Sequence, residues 1–284
     1  MKTDEASQGG GNRRREGKHA PARMSRAVPC LKVDGDLCEK TPHEVVEELP
    51  IAVFVNGRHA MTAMMSPVDL EDFVTGYLFT EQIIKGLDDI ESIKVEQNRI
   101  SVITKNLFKV LGPKKTILSG CGGSTSFIDP GKLPKIQSTF TISTNAIRAA
   151  QRSLPDSDLH KATGGIHLVA LLDREKVLTV AEDIGRHNAV DRVIGFGLRH
   201  HLDFSRTYVI SSGRISSEMV RKCLVANIPV IVSRSATTTL SLEMAQETGL
   251  TVIAFARGGK MNIYTHPERI VDDPAAARPG SPAQ

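Results

Sequence analysis

Cys121 stands between Gly120 and the pair Gly122-Gly123, in the stretch TILSGCGGSTSF. A packing cysteine usually sits among apolar neighbours in a helix or strand. Here the flanking backbone is unconstrained and its N–H groups are bare of side chains. A thiol with a free pKa near roughly 8.5 is partly ionised at neutral pH, and nearby cations or amide N–H groups raise the thiolate fraction. Such a thiolate can attack a disulfide or persulfide and pass the outer sulfur on, provided its loop reaches both donor and acceptor. The alternative, on the residues alone, is an incidental exposed cysteine. The other cysteines form no framework. Cys30 and Cys38 are separated by seven residues, which fits neither a zinc knuckle nor C-x-x-C. Cys223, in SEMVRKCLVAN, reads as a buried helical packing residue.

A second set of residues suits anions. TYVIS runs into Ser212-Gly213-Arg214, PVIVS into Arg234-Ser235 and Thr237-Thr238-Thr239, and LTVIAF into Arg257-Gly258-Gly259-Lys260. Ligands of open α/β sheets bind beyond the carboxyl ends of the strands. Cations, glycine turns and helix N-termini gathered there suit phosphate groups. The stretch AEDIGRHNAVDR crowds Glu182, Asp183, Arg186, His187, Asn188 and Asp191 at a strand–helix junction. Part of it reads as a cap, with Asn188 at the N-cap and Asp191 at N3. The Glu182-Asp183 pair facing Arg186 and His187 reads as a site that orients a ligand or tunes a nucleophile. His167, inside the apolar run GGIHLVALL, reads as a hydrogen-bonded core histidine.

The elements that must position these residues fall into two regions. PIAVFVNGRHAMTAMM predicts two strands around an Asn56-Gly57 turn. SPVDLEDFVTGYLFTEQII predicts a helix with Ser66 as N-cap, Pro67 at N1, and Asp69 and Glu71 in its first turn. DIESIKVEQNRISVIT predicts another strand pair. After the helix STNAIRAAQRSL, strands and helices alternate from Gly164 onward, with short apolar runs. That pattern argues a three-layer α/β/α sheet, largely parallel. The expected organisation is a basic tail over 1–27, an α+β region over 28–111, a cysteine-bearing loop over 112–136, an α/β domain over 137–270 and a tail over 271–284. Both tails are expected to be disordered by composition.

Composition limits what the chain can be. Its 284 residues are 40% hydrophobic, 24% charged and 4% aromatic, with no Trp, so the core is aliphatic. The net charge of +4 sits in residues 1–27, which hold seven basic and three acidic residues, leaving 29 of each sign elsewhere. A neutral body does not suit nucleic acid. No run approaches the roughly 18 apolar residues of a membrane span. No apolar segment follows the N-terminal arginines as in a signal peptide, so the expected compartment is the reducing cytoplasm.

Taken in order, SGCGGS, TGGIH, AEDIGRHNAVDR, SSGRISSEMV, SRSATTTLSLEMA and FARGGKMNIYTHPERI resemble successive blocks of the FdhD/NarQ family. VNGR and SPVDLEDFVTGYLFTEQII do so too, and the resemblance runs from about residue 43 to 270. It implies a formate dehydrogenase accessory sulfurtransferase whose larger domain resembles the cytidine-deaminase-like fold. It further implies that a cysteine desulfurase supplies sulfur as a persulfide. The recipient would be the molybdenum (or tungsten) bis(molybdopterin guanine dinucleotide) cofactor of formate dehydrogenase. On this resemblance the persulfide cysteine falls on Cys121, and the cofactor-binding stretch on Phe255, Ala256, Arg257, Gly258, Gly259 and Lys260. Arg214, Arg234 and His187 are further candidates, and a homodimer is among the expected states. Where many members carry a second cysteine, completing C-x-x-C, this chain has Ser124. An internal disulfide relay is therefore impossible, while a single-cysteine relay stays intact. A cofactor chaperone that handles no sulfur is the competing reading. A zinc deaminase is not: His266-Pro267-Glu268 matches half of the required pattern, but no Pro-Cys-x-x-Cys accompanies it.

Overall fold

The computed structural model describes residues 23–106, 115–117, 133–154 and 157–271. Cys121, Ser124, most of the expected 112–136 loop and most of both tails lie outside the described residues.

The N-terminal region opens with an antiparallel ribbon, β1 (Ser25–Asp34) and β2 (Leu37–Val46). The basic tail was expected to reach residue 27, but the first strand already begins at Ser25. β3 (Leu49–Val55) and β4 (Arg58–Met65) follow around the Asn56-Gly57 turn. Both turn residues have positive φ, 50° and 77°, as a two-residue hairpin loop needs. The Asn56 side chain also holds the neighbouring strand, accepting from Thr104 N at 2.8 Å and donating to Thr104 Oγ1 at 2.9 Å. α1 (Leu70–Thr80), β5 (Ile90–Glu96), β6 (Arg99–Thr104) and β7 (Lys115–Ile117) complete the region, whose sheet order is β5-β6-β3-β4-β7. β7 pairs in parallel with β4, so the expected loop contains a short strand.

α1 starts later than its sequence suggests. Its N-cap is Asp69, at φ 45°, and Glu71 and Asp72 form the acidic first turn. Ser66 cannot cap because its backbone is captured elsewhere. Its N–H donates to Asp183 Oδ2 at 3.1 Å, and its carbonyl accepts from Arg192 at 2.6 Å.

The larger domain runs through β8 (Ile142–Ser143), α2 (Thr144–Ser153), α3 (Asp158–Thr163), β9 (His167–Asp173), β10 (Lys176–Asp183) and α4 (Arg186–Arg199). It continues through β11 (Tyr208–Ser211), α5 (Ser217–Val225), β12 (Val230–Ser233), α6 (Thr239–Thr248), β13 (Thr251–Arg257), β14 (Lys260–Ile263) and β15 (Ile270–Val271). The sheet order is β10-β9-β11-β12-β13-β14. Only β11, β12 and β13 are mutually parallel; β9, β10 and β14 pair antiparallel. The sheet is thus mixed rather than largely parallel, because β9–β10 and β13–β14 are tight hairpins that no helix crosses over.

Period-two alternation sends Val169, Leu171, Val209, Ile231 and Val252 to one face, against α4, α5 and α6. Ala170, Leu172, Tyr208, Ile210 and Val232 go to the other, against Ile147 and Ala150 of α2. Each fully buried aliphatic side chain contributes about 1.5–3 kcal/mol. The result is three layers, as expected. Cys223 lies wholly inside this core. Burial pushes its thiol pKa up to about 12, which makes it an inert packing residue.

The two regions meet where α1 crosses α4. A Cβ on Gly76 would lie 1.8 Å from Asp191 O, and one on Gly195 would lie 1.8 Å from Asp72 O. Only glycine at both positions allows this backbone approach.

Candidate functional site

Beyond the carboxyl ends of β11, β12 and β13 lies an open cleft of about 780 Å³. Among the described residues its charged lining is four arginines, Arg148 and Arg152 from α2, Arg234 after β12 and Arg257 at the end of β13, with no carboxylate. The floor is a bulge in the β13–β14 pairing between Ala254 and Arg257. Phe255, at φ 52°, occupies a conformation that a bulky L-residue rarely adopts, and its ring is exposed at the cleft. Its N–H donates to Ser235 O at 3.0 Å, and Ala256 O accepts from Gln151 Nε2 at 2.5 Å. The bulge is therefore tied on both sides. Gly258 and Gly259, both at positive φ, leave the turn bare, with nothing within 4 Å of either Cβ position. An anionic ligand can approach that backbone directly. Arg148 Nε anchors the turn by donating to Gly259 O at 3.0 Å.

A second lobe of about 460 Å³ adjoins the first and shares Ser212 and Arg234 with it. Its walls are apolar, from Leu154, Ile166, Leu168 and Ile210, with His160 and His167 as polar groups. His167 is therefore half-buried and faces a cavity, rather than sitting in the core. Its Nδ1 lies 3.5 Å from Ser212 Oγ. Burial, then Arg186, His160 and Arg214, hold its pKa below the ordinary histidine value, so the ring is neutral at pH 7.

Phe255, Ala256, Arg257, Gly258 and Gly259 line the cleft, as does Arg234. Lys260 does not; it opens β14 opposite Arg257, exposed. Arg214 lines neither lobe, although it is close enough to depress His167. His187 is not brought to the cleft either. It is buried in α4, with Nε2 3.1 Å from Ser216 Oγ and 3.3 Å from Glu218 Oε2. Burial, then Arg186 and Lys222, push its pKa down to about 3. The sequence reading missed Arg148, Gln151 and Arg152. Their i, i+3, i+4 spacing opposite Ile147, Ala150 and Leu154 is the signal that could have found them.

Asp183 and Asp191 of AEDIGRHNAVDR are structural. Asp183 is fully buried, 2.6 Å from Arg192, and accepts from the backbone N–H of Ser66 and Gly185 and from Asn188 Nδ2. Burial pushes its pKa up, but the ion pair and these donors favour the carboxylate. Asn188 is not a cap. Gly185 holds that position, and Asn188 also donates to Met64 O at 3.1 Å. Asp191, inside the helix, binds Lys222 Nζ at 2.7 Å and accepts from Thr80 at 2.8 Å. These residues join α1, α4 and α5 and the segment before α1; none of them lines the cleft. His266 is likewise committed, with Nδ1 2.9 Å from Glu268 and Nε2 3.0 Å from Gln246 O.

Fold and cleft together define a three-layer α/β protein with an arginine-lined cleft at its strand ends. Residues 46–271 match the model of the FdhD/NarQ family, and the chain belongs to that family. It is similar to the sulfur carrier protein FdhD of Wolinella succinogenes, with 37% identity over 238 residues, covering 80% of this chain and 82% of that one. The corresponding protein of Staphylococcus aureus strain MRSA252 is 34% identical, covering 88% and 97%. Among solved structures, a chain from Desulfotalea psychrophila assigned as a formate dehydrogenase accessory protein superposes with TM-score 0.75 at 29% identity. It is covered completely, by 88% of this chain. No helix among the described residues is long and apolar enough to cross a membrane.

Proposed function

We propose that this chain is a sulfur carrier for formate dehydrogenase that takes sulfur on Cys121 from a cysteine desulfurase. The Cys121 thiolate attacks the donor's persulfide at its outer sulfur. The donor's S–S bond breaks, its thiolate leaves, and Cys121 holds the sulfur as a persulfide. The recipient would be the bis(molybdopterin guanine dinucleotide) cofactor, which the cleft residues would hold and which would supply the site the sulfur is destined for. The observation that carries this reading is the cleft itself: four guanidinium groups and a bare Gly258-Gly259 turn, with no carboxylate in its lining among the described residues.

The residues present fit that cofactor. Arginine guanidinium groups match phosphate oxygens in geometry as well as charge, and two joined lobes suit a ligand with two nucleotide arms. Arg148, Arg234 and Arg257 would hold pyrophosphate, and Phe255 offers an aromatic face beside them. The chemistry needs reduced thiols, in keeping with the cytoplasm. In a strain lacking its own copy, wild-type protein should restore formate dehydrogenase activity and Cys121→Ala should not. Full activity from Cys121→Ala would replace this reading with that of a cofactor chaperone.

A further inference from the structure

β13 breaks its own alternation at the cleft. In a regular strand Ile253 and Phe255 would share the face turned to α2, with Ala254 and Ala256 on the other. Instead Ile253 and Ala256 both pack in the core beneath α2, and the ring of Phe255 is 40% exposed at the cleft. The bulge makes this switch. Between the pairs Ala254–Asn262 and Arg257–Lys260, Phe255 and Ala256 oppose the single residue Met261. Of the nine non-glycine residues with positive φ among those described, Phe255 alone is apolar and alone lies within a strand.

That conformation needs support. The left-handed region is disfavoured for a residue with a Cβ by about five- to thirtyfold. One net hydrogen bond favours its closed form by only about two- to thirteenfold. The bond from Phe255 N–H to Ser235 O, at 3.0 Å, therefore falls short alone. α2 supplies the rest. Ile147, Ala150 and Leu154 are buried against the sheet, which carries Arg148 and Gln151 over the end of β13. Gln151 Nε2 donates to Ala256 O at 2.5 Å, the carbonyl next to the strained residue. Arg148 Nε donates to Gly259 O at 3.0 Å, and its own guanidinium is fixed by Asn145 Oδ1 at 3.1 Å. Arg148 has a second use in its charge. Gln151 has none, so an anionic ligand does not explain it.

We infer that Gln151 is a positioning residue. Its bond to Ala256 O holds the bulge in the form that turns the Phe255 ring into the cleft, where the ring can stack on the heterocycle of a ligand. Without that bond Phe255 relaxes to negative φ and its N–H leaves Ser235 O. The brace is independent of sulfur transfer, whereas the use of the ring for a ligand rests on the reading of the cleft given above.

The test is amide hydrogen exchange of the full chain, read as protection at residue 255 relative to an unstructured peptide, with Ile253 as the control in the regular part of β13. Gln151→Leu keeps the bulk and removes the donor. It should lower protection at Phe255 about tenfold, the upper value for one net hydrogen bond, and leave Ile253 unchanged. With Gln151 or with Gln151→Leu, Phe255→Gly should be at least about threefold better protected than Phe255→Ala, because glycine accepts positive φ and both variants lack the ring. Saturating GDP should return protection in Gln151→Leu toward the wild-type value, since a ligand that binds the bulged form stabilises it. Equal protection of Phe255 in wild type and Gln151→Leu, or no difference between Phe255→Gly and Phe255→Ala, would overturn the inference. If both differences appear and GDP leaves residue 255 unchanged, the brace is supported and the ligand reading of the cleft is overturned.

Discussion

Replacing Arg257 by Ala tests whether the cleft holds phosphate. Arg257 ends β13 at the cleft wall, and its side chain is exposed, so the substitution opens no cavity and strands no buried partner. Folding stability should change by no more than about 0.5 kcal/mol. A hydrogen bond to a charged group contributes about 1.5–3 kcal/mol. The cleft is open to water, which favours the lower end, and about 1.5 kcal/mol corresponds to about tenfold in Kd. Lys260 provides the internal control. It is as cationic and only three residues away, but it lies outside the lining, so Lys260→Ala should cost about 0.5 kcal/mol, or about twofold. Titration calorimetry with GDP at fixed ionic strength reads both, and added salt should weaken wild-type binding. Equal losses in the two variants, or unchanged affinity in Arg257→Ala, would refute the assignment of the cleft.

Gly76→Ala should destabilise the protein by about 3 kcal/mol in urea denaturation, because its Cβ would meet Asp191 O at 1.8 Å; a loss below about 1 kcal/mol would refute the close crossing of α1 and α4. His187 has a folded pKa of about 3, below its ordinary value, so the unfolded chain binds the extra proton and stability falls as pH drops from about 6.5 toward 3, by up to ~1.4 kcal/mol per pH unit. Between pH 7 and 5, wild type should therefore lose more stability than His187→Gln, and equal losses would contradict the burial. With a thiol reagent and peptide mapping, Cys30 should react in the native protein and Cys223 only after denaturation, as exposure and a pKa of about 12 require.

Much of the architecture was legible because local rules governed it. Asn56-Gly57, the strand pair over 90–104 and the helices carrying Cys223 and Met244 follow from turn chemistry and periodicity. The placement of the Arg234 and Arg257 turns beyond the strand ends was legible too, since it depends on strand ends rather than on long-range contacts. What was not legible depends on partners distant in sequence. Ser66 looks like a cap, yet Asp183 and Arg192, more than 110 residues away, take both its backbone groups. Asn188 and Asp191 resemble a cap and a dipole partner, but they bind Met64 and Lys222. The contribution of α2 to the cleft requires knowing which face it turns to the sheet. The ribbon's one strong signal, Asp34-Gly35-Asp36 between β-forming runs, was masked by its polar and proline content.

The central claim is that Cys121 carries sulfur. The most direct test is peptide mass spectrometry of the full chain after incubation with a cysteine desulfurase and cysteine, before and after reductant. The peptide containing Cys121 should gain the mass of one sulfur atom, about 32 Da, and lose it on reduction, because a persulfide is reducible. Sulfur on Cys30, Cys38 or Cys223 with Cys121 unmodified, or no gain on any cysteine, would contradict it.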